Sequence, residues 1–109
     1  MSVKRPPKRY LGLRFAPASA SRREVSAAVE AAWRREKGRA GRAAPRLLVC
    51  EDGVGIVVVA RGEERAAREA LEVPAGVGAV ALVPVVTSGT IAAVRERMAA
   101  PRAEGARTG

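Results

Sequence analysis

The residues best placed to do chemistry in this chain are cations. Lys4, Arg5, Lys8 and Arg9 fall in the first nine residues, and Arg34, Arg35, Lys37, Arg39, Arg42 and Arg46 fall within thirteen more. A cation row of this kind neutralises phosphates and releases their counterions. Residues 1–46 carry 13 Lys and Arg against Glu24, Glu30 and Glu36, a net +10, while the rest of the 109-residue chain is close to neutral. One or two cations near a helix C-terminus would only complement its dipole. Six so close together exceed that role, and the one-sided charge points to a polyanion, most often nucleic acid.

A second candidate is the stretch Thr87-Ser88-Gly89-Thr90, between an apolar run and a helical pattern starting at Ile91. Ser88 or Thr87 can cap the helix that follows. Gly89 lets another backbone come close, and free N–H groups at a helix start also bind phosphate. The two readings are compatible, so Ser88, Gly89 and Thr90 stand as a contact corner with its partner left open.

Catalytic material is thin. The chain has no histidine and one cysteine, Cys50, which removes imidazole chemistry, intramolecular disulfides and Cys-based zinc sites. The best acidic pair, Glu51-Asp52, sits where Asp-Gly already has a turn role. No catalytic residue and no metal ligand is expected, and Cys50 reads as a small core residue. No apolar run is long enough to cross a bilayer, and no secretory pattern follows the basic start. A soluble, cytoplasmic protein is the expectation.

The elements that must position these residues follow from periodicity. Residues 1–9 read as a basic flexible arm with a Pro pair. In 10–15 Leu11, Leu13 and Phe15 alternate with Tyr10, Gly12 and Arg14, as in a half-buried strand. Ser21 and Glu24 make a capping box for a helix over 21–37, with Val25, Ala28, Val29, Ala32 and Trp33 on one face. A Gly-rich basic loop spans 38–46. Residues 46–51 and 54–61 form a hairpin about Asp52-Gly53. A second helix covers 63–72, a fourth strand covers 79–86 with Pro84 arguing for an edge, and a last helix runs from Thr90 to Ala99. Residues 101–109 read as a frayed tail.

This order, β-α-β-β-α-β-α, over a single domain at 10–100, predicts an α+β, ferredoxin-like α/β sandwich with a four-stranded, mainly antiparallel sheet. Right-handed crossovers put strands one and three in the middle and both long helices on one face. The alternation assigns Val57 and Val59 to one face and Ile56 and Val58 to the other. It sets Leu48 and Cys50 opposite Leu47 and Val49. Both faces then read as aliphatic, unlike the aromatic sheets that stack bases. The C-terminal helix is expected to cover part of the second face. A protein contact over Val57, Val59 and Leu48 is expected to cover the rest.

The segments RYLGLRF, PRLLVCEDGVGIVVVARGEERAAREAL and VVTSGTIAAVRERM, in this order, resemble protein component 2 of archaeal ribonuclease P. That family includes a subunit of nuclear ribonuclease P and its MRP relative. The shared features are Arg9-Tyr10 at the first strand, Pro45-Arg46-Leu47 leading into the second, an apolar third strand before a basic, alanine-rich helix, and Ser88-Gly89-Thr90-Ile91 after the fourth. The resemblance spans residues 9–99, and Ala92 and Ala93 depart from it where relatives carry a basic residue. It implies a non-catalytic subunit of an RNA enzyme that removes 5′ leaders from precursor tRNA. Magnesium would be held by the RNA, and no cofactor by the protein. Its partners would be the ribonuclease P RNA and a TIM-barrel-like protein subunit, with two such pairs joining as a heterotetramer.

Other classes compete. A free-standing RNA-binding or ribosome-associated protein would use the same cations. A small-ligand or regulatory ferredoxin-like domain would leave the basic loop unexplained. A stand-alone nuclease would have to work from Glu51-Asp52 without an acid–base partner.

Overall fold

Alternation builds the first strand, and pairing lengthens it. In the computed structural model, which describes residues 8–36, 44–76 and 79–108, β1 spans Lys8–Ala16. Lys8 and Arg9 therefore stand on a strand and not on an arm, because the ladder continues past the apolar stretch to pair them with Ala60 and Val59. The remaining elements are α1 (Arg22–Arg35), β2 (Arg46–Glu51), β3 (Val54–Ala60), α2 (Glu64–Ala70), β4 (Ala81–Ser88) and α3 (Ile91–Thr108). The expected loop at 38–46 falls largely outside the described residues. Helix α3 runs past the Ala99 expected as its end and takes in the segment read as a tail. Ala99, Ala100, Ala103 and Glu104 are good helix formers but Pro101 and Gly105 are not, so local propensity does not explain the extension.

Local signals set the ends of α1 and the hairpin. Ser21 Oγ accepts from the Glu24 N–H at 3.1 Å, and Glu24 Oε1 accepts from the Ser21 N–H at 2.8 Å. This is the reciprocal cap that Ser-x-x-Glu permits. The turn between β2 and β3 places Asp52 at φ 47° and Gly53 at φ 79°. Two consecutive left-handed residues match the twist of the flanking strands, and Asp-Gly tolerates them.

The strands form one antiparallel sheet in the order β2-β3-β1-β4. The most apolar strand, β3, is interior, and β4 with Pro84 is an edge, as its missing donor requires. Helices α1 and α2 cover one face. Leu11, Leu13, Phe15, Val57, Val59 and Leu82 pack there against Val25, Val29, Trp33, Ala67 and Leu71. Val57 and Val59 are thus core residues under the two helices, which corrects their assignment to an uncovered face. A bulge between Leu47 and Val49 changes the phase of β2. Leu47 and Cys50 consequently both pack on the α1/α2 side, while Val49 turns to the other. The Arg22 guanidinium donates to the carbonyls of Leu47 at 3.1 Å and Leu48 at 3.2 Å, tying α1 to this bulged edge.

Helix α3 lies on the opposite face. Val94 and Met98 bury themselves against Ile56, with Tyr10, Val49, Val54, Val85, Val86 and Ile91 partly buried around them. Gly12 makes the close approach possible, since a Cβ there would stand 2.6 Å from Val94 Cγ1 and 2.9 Å from Met98 Sδ. Two polar ties reinforce the docking: Arg14 donates to the Met98 carbonyl at 3.0 Å, and Arg95 meets Glu51 at 3.3 Å.

Candidate nucleic-acid interface

The cations named from the sequence divide into three groups. Lys4, Arg5, Lys37, Arg39 and Arg42 lie outside the described residues. Arg9 and Arg34 are engaged within the fold. Arg9 Nε lies 3.1 Å from Glu64 Oε2, and Arg34 donates to Glu30 Oε2 at 2.9 Å, one helical turn back. Lys8, Arg35 and Arg46 are exposed.

Strand register brings Lys8 and Arg46 to the same face. Arg46 pairs with Val58, Val58 with Tyr10, and Tyr10 with Ser88. Directly opposed residues in antiparallel strands point to one side, so these four form a row across the sheet on the α3 side. Lys8, opposite Ala60, begins the next row outward. Helix α3 packs over the rows on the other side, those of Gly12 with Ile56 and of Arg14 with Val54. Tyr10, Val58 and Ser88 are left half-buried at the margin. The reading of both faces as aliphatic is corrected here, because Tyr10 is an aromatic at the border of the α3 face.

The Ser88-Gly89-Thr90 corner resolves into separate roles. Thr90 caps α3: its Oγ1 accepts from the Ala93 N–H at 3.1 Å, and its carbonyl accepts from Val94 N–H at 3.2 Å. Ser88 and Thr87 belong to β4, paired with Tyr10 and Leu11, so neither is the cap. The strand runs further than its apolar composition indicates because β1 offers it ladder partners. Gly89 has a side chain for its neighbour, with a Cβ there 3.6 Å from Arg9 Nη1, ordinary contact. Thr90→Ala should destabilise the protein by about 1 kcal/mol, and Ser88→Ala by clearly less. Urea unfolding of the two variants checks this, and equal losses would contradict the cap assignment.

Arg9 links the start of α2 to this corner. The Glu64 carboxyl is held below its ordinary range chiefly by its own backbone N–H. Partial burial opposes this, and the Gly62 N–H, Arg9 and Arg61 push the same way as the main cause. The Gly62 N–H donates to Glu64 Oε1 at 2.6 Å.

The acidic pair and the cysteine have structural placements. Glu51 is in its ion pair with Arg95, and Asp52 occupies the turn. Cys50 is half-buried beside the α1/α2 core, and burial pushes its thiol pKa up. Sequence reasoning counted every cation alike. It missed that Arg14, Arg22, Arg68 and Arg95 hold the fold together, Arg68 by donating to the Val85 carbonyl at 3.2 Å. No spacing rule distinguishes these from free cations. An apolar groove of about 380 Å³ also runs along α1 at Ala27, Ala28, Ala31 and Ala32, facing Val73 and Val80.

The described residues thus define an α+β protein with a four-stranded antiparallel open sheet and three helices, with Lys8 and Arg46 exposed on the sheet face that α3 packs against. No family model matches the chain, and no curated protein matches it. Among the described residues no helix is long and apolar enough to cross a membrane.

Proposed function

We propose that this protein is a non-catalytic RNA-binding subunit of ribonuclease P, built on a ferredoxin-like fold, that supports a catalytic RNA in removing 5′ leaders from precursor tRNA. The observation that carries the reading is the one-sided charge, a net +10 within residues 1–46. Among the described residues, Lys8, Arg35 and Arg46 are exposed and without an ion-pair partner. Such cations are available to phosphates, whereas Arg9 and Arg34 are already engaged. The ordered resemblance over residues 9–99 narrows a general RNA-binding reading to this family. The protein partner is a TIM-barrel-like subunit, for which the groove along α1 offers apolar surface. Magnesium belongs to the RNA, and the setting is cytoplasmic.

Reconstitution tests the reading. The purified chain alone should not cleave precursor tRNA. Added to the cognate catalytic RNA and the partner subunit, it should lower the magnesium needed for cleavage, because protein cations replace counterions between packed phosphates. Metal-dependent cleavage by the RNA-free chain, abolished in Glu51→Gln with Asp52→Asn, would sink the proposal. RNA binding with no effect on the magnesium requirement would favour a free-standing RNA-binding or ribosome-associated protein.

A further inference from the structure

The row Arg46–Val58–Tyr10–Ser88, with Lys8 beside it, lies at the margin of α3, with Val58, Tyr10 and Ser88 half-buried and Arg46 and Lys8 exposed. One part of it is anchored. Tyr10 packs against the Ile56, Val94 and Met98 cluster, so its ring is supported from within the fold while the residue remains partly open. The flanks are cationic and exposed. Neighbouring strands are about 4.8 Å apart, which sets Arg46, two strands away, about 10 Å from Tyr10, and Lys8, two residues along β1, lies about 7 Å away. No acidic residue occupies the row, since Glu64 faces Arg9 on the other side of the sheet and Glu51 is held by Arg95 at its far end.

We propose that Tyr10, Lys8 and Arg46 form a subsite for single-stranded RNA, in which one base stacks on the Tyr10 ring and the flanking phosphates meet Lys8 and Arg46. This rests on the RNA-binding reading above and adds to it the state of the RNA and an aromatic contact. An aromatic held on a strand loses little freedom on binding, and a base stacked on it gains affinity with little regard to sequence. Only an unpaired nucleotide can present its face in this way, so the subsite selects single strands over duplex. Charge complementarity favours RNA over a protein here. The apolar part of the row is Tyr10 and Val58 alone, far short of the roughly 800 Å² per partner that a stable protein interface buries.

The test uses the full chain with a fluorescent short oligoadenylate and an RNA duplex of matched charge. Tyr10→Leu keeps apolar contact with Ile56 and removes the ring, and Tyr10→Phe keeps the ring. Stacking of the usual strength predicts that Tyr10→Leu weakens oligoadenylate binding by roughly tenfold or more, with duplex binding unchanged and Tyr10→Phe close to the parent. Lys8→Gln with Arg46→Gln should lower the salt slope for the oligonucleotide by about 1.4. Photocrosslinking of the parent chain to a 4-thiouridine oligonucleotide should map to the Tyr10 peptide, which keeps the question open to test should Tyr10→Leu fold poorly.

Parent-like oligoadenylate binding by folded Tyr10→Leu overturns the subsite while leaving the general RNA-binding reading intact. So does a loss shared equally with duplex, or a crosslink elsewhere. Loss of capture by the partner subunit with RNA binding unchanged overturns it in favour of a protein contact. A parent chain that binds neither RNA overturns both readings.

Discussion

Replacing Arg35, Lys37, Arg39 and Arg42 together by alanine should flatten the salt dependence of affinity for the catalytic RNA. Each phosphate contact contributes roughly 0.7–0.9 to the slope of log affinity against log salt, so four contacts are worth about 3. Over a fourfold rise in salt, the parent should then lose roughly sixtyfold more affinity than the variant. The choice of residues follows the structure. Arg34 is left in place because it already pairs with Glu30, and Arg46 because it belongs to the row beside α3. Deleting residues 1–7 should cost less. That deletion removes only Lys4 and Arg5, since Lys8 and Arg9 are part of β1. The measurement is affinity across a salt series for the parent, the fourfold variant and the truncation. A folded fourfold variant with the parent slope would mean that this segment is a solvated basic face.

Gly12→Val should loosen α3 from the sheet. The added Cβ would meet Val94 Cγ1 at 2.6 Å and Met98 Sδ at 2.9 Å before either γ-methyl is placed. Val94 is fully buried and Met98 nearly so, which leaves them little room to give way. Overpacking of a filled core costs about 1–3 kcal/mol, and here the simplest relief is displacement of the helix. The expected result is a lower urea midpoint, with faster hydrogen exchange in α3 and at Ile56. Protection under α1 and α2 should fall only by the global loss. Met98→Ala in the Gly12→Val background should recover part of the stability by opening space. Unchanged stability in Gly12→Val would mean that α3 does not pack on β1 as described.

The two predictions probe features of different legibility. The basic segment is visible in composition, because charge needs no fold to be counted. The dependence of α3 on Gly12 is not, because nothing local to β1 says which helix crosses it. A glycine in a strand marks a close approach only once the approaching element is known.

The paired faces show the same division. Alternation in β1 correctly separated Leu11, Leu13 and Phe15 from Tyr10, Gly12 and Arg14, since successive side chains in a strand point to opposite sides. The same rule misplaced Cys50 and Val49, setting Cys50 opposite Leu47 and Val49 beside it, whereas Leu47 and Cys50 share the α1/α2 side and Val49 faces the other. A bulge inserts one residue and reverses the phase beyond it, and the Arg22 contact that accompanies this bulge comes from a helix far away in sequence. The end of β4 was missed for a related reason. Thr87 and Ser88 have turn-like composition, yet β1 supplies them with partners, and the capping role falls to Thr90.

From residues alone came the order of strands and helices, the Ser21-Glu24 cap, the Asp52-Gly53 turn, the interior place of β3 and the edge place of β4. These rest on interactions between near neighbours or on hydrophobic period, both written along the chain. Tertiary structure alone decided which side of the sheet Val57 and Val59 would face and which arginines would be consumed by carbonyls and carboxylates. It also set Arg46 beside Lys8 and Tyr10. Lys8 and Tyr10 share a face by alternation along β1, but Arg46 is far from both in the sequence, and only antiparallel register, set by hydrogen bonding between β1, β3 and β2, brings it beside them.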